Sequence, residues 1–218
     1  MSLLSGKMPG MNSNQGITGT ACPISSFWHN FPDIGIKKWI LISSILFVTG
    51  LLIGIINPST DIFNSLDYLI DIADDTAALS SFGLFLFYAI NNIFKIVLSF
   101  IFSPLLCILP VLSLIMNGWI ISNVGYYIVD VHQYSIGFFI MGILPHGLVE
   151  IPALIIGQAA ALSVGTMTIA SVFVKEKSPY LFPHLRKSLR YLGLVTFLLI
   201  IAAGIEAFIT PPVLGLFE

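Results

Sequence analysis

Five apolar stretches, each near the length of a bilayer crossing, leave this chain little choice of fold. A helix needs about 20 consecutive apolar residues to span the hydrocarbon core. Inside lipid every backbone N–H and C=O must be satisfied, so continuous apolar runs of this length become helices. Hydrophobic residues make up 56% of the 218 positions and charged residues 9%, against roughly 25% charged residues in a soluble domain. The sequence therefore predicts an all-α, multi-pass transmembrane helical bundle of about five spans. The net charge of −2 says little; where the charges fall says more.

Three regions follow: a flexible or interfacial tail (1–36), a helical membrane domain (37–212) and a short C-terminal tail (213–218). The first tail is rich in Gly, Ser, Asn and Pro, has no apolar run resembling a signal peptide, and carries Phe27, Trp28 and Phe31 as interfacial anchors. Span 1 is expected over 37–56, span 2 over 81–102 and span 3 over 104–129, with a very short hairpin between spans 2 and 3. Residues 59–80 hold five Asp and no Lys or Arg, and their apolar spacing predicts a short amphipathic helix. The apolar run 136–174 is too long for one straight span. Pro145 is expected to divide it into a short piece, 136–144, and a long helix from His146. A basic linker (Lys175, Lys177, Arg186, Lys187, Arg190) leads to span 5, 189–209, ended by Pro211 and Pro212.

Lys7, Lys37, Lys38 and the five linker cations all fall at one side of this arrangement, so the positive-inside rule predicts a cell-membrane protein with a cytoplasmic N-terminus and an outside C-terminus. The linker charges suit topology and anionic lipid, with no nucleic-acid partner implied. Cys22 and Cys107 are too far apart in character for a disulfide framework. Gly157, Ala161 and Gly165 form a small-residue stripe that permits close helix contact, within the chain or as a homodimer seam.

Within the spans stand polar groups that lipid does not tolerate cheaply. His146 and Glu150 are one turn apart on one helix face. Glu206 is near the outer end of span 5, Asn91 and Asn92 are in span 2, and Asn117 is in span 3. Their depths place all six in the outer half of the membrane, as one outward-facing pocket. Pro145 and Pro152 add the carbonyls of Met141 and Leu148, which lose their helical donors. Three chemistries fit. His146, Glu150 and Glu206 could ligate Zn, Mn or Fe, as a metal site or an intramembrane hydrolase. The carboxylates could carry a proton, cation or small solute, with His146 as relay. Or the group could lock helix register as a scaffold. Lys95 is expected to snorkel to the inner face or to bond a backbone carbonyl. His29, His132 and His184 are expected to be solvent groups.

PHGLVEIPA (145–153) resembles the signature of stage II sporulation protein M-like membrane proteins. AAGIEAFITP (202–211) is similar to that family's last-helix motif, and Asn91-Asn92 and Asn117-Gly118 also fit its pattern. The family's small residues in the span 2–3 hairpin are replaced here by Ser103-Pro104. The resemblance implies an integral membrane protein that works with a membrane-complex partner; in spore-formers such proteins are linked to a septal complex that remodels peptidoglycan. It marks the same six side chains: Asn91, Asn92, Asn117, His146, Glu150 and Glu206.

Overall fold

The computed structural model describes residues 35–59, 80–105 and 107–214. The expectations for the N-terminal tail, Cys22 and the acidic amphipathic helix fall outside these residues. Five helices among the described residues are long and apolar enough to cross a membrane: α1 (Ile36–Ile56), α2 (Ser81–Phe102), α3 (Ile108–Tyr126), α4 (Ile136–Phe173) and α5 (Ser178–Phe208). A π-helical turn, Tyr127–Val131, extends α3, and a short helix α6 (Thr210–Leu214) follows α5. Ser80 and Ser135 cap α2 and α4 by accepting from the N–H groups of Gly83 and Phe138, which satisfies an orphan donor at each helix start.

The helices pair in an order that their contacts define. Gly50 faces the Ile115 backbone and Gly54 faces Trp119 and Ser122, so α1 and α3 run parallel. Ser122 Oγ donates to the Leu51 carbonyl at 2.7 Å, and Asn123 Oδ1 accepts from the Ser59 N–H at 2.8 Å, tying the ends of α1 and α3 together. α4 touches each of the other four spans. It runs parallel to α2, where Gln158 meets Ser99, and antiparallel to α5, where Ser163 meets His184. Its residues 157–167 are continuously buried, as expected of the central helix of a bundle.

Two expectations are corrected, and a third is decided between its alternatives. Pro145 does not divide span 4: α4 continues for 38 residues through Pro145 and Pro152. Each proline removes one backbone bond, whereas ending the helix at membrane depth would orphan the several donors and acceptors of two new termini. The basic linker is mostly helix, because after a single 3-10 turn (Lys175–Lys177) α5 begins at Ser178 with Pro179 in its first turn, where a missing N–H costs nothing. The small-residue stripe is used inside the chain. Gly157 packs on Ile96 and Val195, Ala161 is buried, and Gly165 lies against the Ser103 carbonyl and Cys107 Sγ. That stripe is therefore not free to serve as the homodimer seam.

The α2–α3 hairpin is closed by Ser103, whose hydroxyl donates to the Phe100 carbonyl at 2.9 Å. Cys107 completes the turn with φ 58°, a left-handed backbone that costs a non-glycine residue on the order of 1 kcal/mol or more. Its buried, unpaired thiol sits beside the Leu162 carbonyl, so the turn is held by its packing on α4.

Candidate intramembrane polar site

Each of three helices turns two residues, one helical turn apart, toward a common cleft of about 180 Å³: Tyr88 and Asn92 from α2, His146 and Glu150 from α4, Ala203 and Glu206 from α5. The spacings i, i+4 and i, i+3 put each pair on one face. On α5 that face is the one that buries Val195, Leu199, Ala202 and Ala203, so Glu206 enters the bundle with the apolar packing residues. Ala203 matters by being small: a larger residue one turn before Glu206 would fill the cleft.

His146 Nδ1 pairs with Glu206 Oε2. Thr210, at the start of α6, donates to the same carboxylate oxygen at 3.4 Å. The His146 and Glu206 side chains remain 19% and 24% exposed, so the pair faces the cleft and is not sealed in the core. Glu150, one turn deeper, feels the charges of His146, Lys95 and Glu206 and shares the cleft with Asn92. It lies within the field of Lys95, whose side chain is exposed and is in no ion pair among the described residues.

His146 and Glu150 also line a second cleft, of about 120 Å³, on the other flank of α4. Asn117, Phe47, Ile120 and Ile121 close that side. Asn117 binds its own helix as well, donating to the Ser113 carbonyl at 2.6 Å. Five of the six expected residues are therefore brought to two clefts that share His146 and Glu150. Asn91 is not. It is half-buried on α2 and lines neither cleft, since a neighbour in sequence is turned by ~100° from Asn92.

Two polar contacts lie progressively further from Glu206. Gln158, fully buried, donates from Nε2 to Ser113 Oγ at 2.8 Å and Ser99 Oγ at 3.2 Å, joining α2, α3 and α4. Ser163 Oγ meets His184 Nε2 at 2.8 Å, joining α4 to α5. His184 is therefore half-buried and bonded, contrary to its expectation as a solvent group, because α5 starts eleven residues before the expected span. Neither contact, nor Tyr88, was among the expected site residues. The signal for Gln158 was available, as a lone amide inside the run ALIIGQAAALSV; that for His184 depended on where α5 begins.

Among the described residues, no group of three His, Cys, Asp or Glu side chains is placed to hold a metal ion. The His146–Glu206 pair joins two of the expected ligands to each other, with Glu150 a turn away.

The architecture is that of a multi-pass membrane protein: helices only among the described residues, five able to span, and ionisable groups gathered within the bundle. The profile of the family Stage II sporulation protein M matches residues 43–211, and the chain belongs to that family. No curated protein and no solved structure matches it.

Proposed function

We propose that this protein binds a small cation, the proton included, in the cleft between α2, α4 and α5, and passes it across the outer part of the membrane. One observation carries the reading: two carboxylates from different helices, Glu150 and Glu206, line one cleft with a single imidazole between them. An anion at membrane depth is costly unless it is paired or takes part in ion movement. Lys95 and His146 offset part of the negative charge, and an incoming cation would offset the rest. The oxygen-rich lining, with Tyr88, Asn92 and two carboxylates, suits a hard cation held by oxygen. His146 and Glu150 belong to both clefts, which gives a cation accepted on the α5 side a route to the Asn117 side.

Purified protein in liposomes tests this with protons, Na⁺ and K⁺ as probes. Wild type is expected to dissipate an imposed gradient of at least one of the three. Glu206→Gln and Glu150→Gln, which keep shape and remove charge, are expected to abolish that flux and any stabilisation by NaCl or KCl over choline chloride. Equal flux in wild type and both variants would overturn the proposal. Variants that only melt earlier, with no flux and no salt response in wild type, would establish the residues as a helix lock in a scaffold.

A further inference from the structure

The first third of α5 carries a feature that the cleft does not use. Phe182, Pro183, Arg186, Lys187 and Arg190 line one open groove along the helix, and all five are exposed. Their spacing, i, i+1, i+4, i+5 and i+8, is a single helical stripe. Among the described residues none of these three cations is in an ion pair. The same stripe continues along α5 as Leu194, Phe197 and Ile201, exposed by 49%, 60% and 40%. These face away from Val195, Leu199 and Ala202, which pack into the bundle. In a membrane those exposed apolar residues meet acyl chains. α5 is 31 residues long, about 46 Å at the helical rise, so its first turns stand above the hydrocarbon.

We propose that this stripe is a binding site for an anionic phospholipid, with the headgroup phosphate on Arg186, Lys187 and Arg190 and the acyl chains along Leu194, Phe197 and Ile201. Arg186 and Arg190, one turn apart, present guanidinium forks suited to phosphate oxygens. Lys187 adds a third charge, and the Phe182 ring, 73% exposed, sits at the level where aromatic side chains anchor at the membrane interface. The continuity of basic groove and acyl-facing stripe on one helix face selects a lipid over an acidic peptide or free phosphate, neither of which would use Leu194 or Phe197.

The test is native mass spectrometry of the full chain released from nanodiscs of equal phosphatidylglycerol and phosphatidylcholine. Wild type is expected to retain phosphatidylglycerol preferentially. Arg186→Gln/Arg190→Gln is expected to lose roughly thirtyfold of that preference, at about 1 kcal/mol for each of the two cations near the surface. Lys37→Gln/Lys38→Gln, which removes two cations from the start of α1, is expected to retain it. No preference in wild type, or equal loss in both double variants, overturns the site. Full displacement by millimolar inorganic phosphate or by polyglutamate would assign the groove to a free phosphate or an acidic segment, and also overturns it. Should the arginine double variant fail to purify as a single species, Arg190→Gln and Leu194→Gln are compared singly. Retention unchanged in both rejects the proposal.

Discussion

Gln158 shows what a single polar side chain does at the centre of this bundle. Its amide reaches hydroxyls on two other helices, and no other side chain in the run 153–162 can donate a hydrogen bond. Interhelical hydrogen bonds in membrane proteins contribute on average about 0.6 kcal/mol each. Gln158→Leu, close in volume, should therefore lower stability in detergent by roughly 1 kcal/mol. Ser99 and Ser113 can then bond carbonyls of their own helices, so the cost stays small. The variant should leave cation flux unchanged, because Gln158 lines neither cleft; flux lost with the fold intact would move Gln158 into the conduction route. The candidate site was partly legible at this scale. His146, Glu150 and Glu206 stand out because charge in an apolar run is expensive. Asn91 and Asn92 could not be told apart, since composition and depth are shared and only the rotational phase of α2 separates them. His184 was misplaced for a related reason: its partner, Ser163, lies on another helix, and sequence carries no direct record of which faces meet.

At the scale of elements, the α1–α3 contact is the tightest. A Cβ built on Gly118 would fall 2.8 Å from the Leu51 backbone N, and one on Gly54 2.6 Å from Ser122 Cβ. Gly50-x-x-x-Gly54 is the small-residue spacing that lets helix backbones approach, and Gly118 answers it from α3. Gly118→Ala should destabilise the protein by about 1–3 kcal/mol through overpacking against backbone that cannot yield, read as a fall in melting temperature. Gly193→Ala on α5 is the matched control. Nothing lies within 4 Å of its Cβ position, and alanine is the better helix former by up to about 1 kcal/mol, so that variant should be neutral or more stable. Equal losses at both positions would mean that helix propensity, not the close approach, sets the outcome. Helix number and the start of α2 were readable from apolar length. The unbroken α4 was not, because the rule that proline ends helices comes from water, where freed carbonyls find donors. In lipid the alternative to a flawed helix is worse.

At the scale of the whole molecule, the direction of each helix fixes which groups share a side. The α3–α4 loop, the His146–Glu206 pair and the end of α5 lie at one end of the bundle; the α2–α3 hairpin and the α4–α5 turn lie at the other. Lys37 and Lys38 at the start of α1, with Arg186, Lys187 and Arg190 on α5, put five cations at the hairpin end. Cations resist translocation, so that end is expected to face the cytoplasm and the cleft to open outward. Single-cysteine variants in a Cys22→Ser/Cys107→Ala background check this in intact cells with a membrane-impermeant maleimide. Gln133→Cys, in the exposed α3–α4 loop, should be labelled at once. Glu176→Cys, in the exposed α4–α5 turn, should be labelled only after permeabilisation. The reverse pattern would place the cleft on the cytoplasmic side and make any cation it binds an internal one. Labelling of both without permeabilisation would mean that α4 does not cross the membrane at all, which would remove the physical reason for gathering Glu150 and Glu206 around one imidazole.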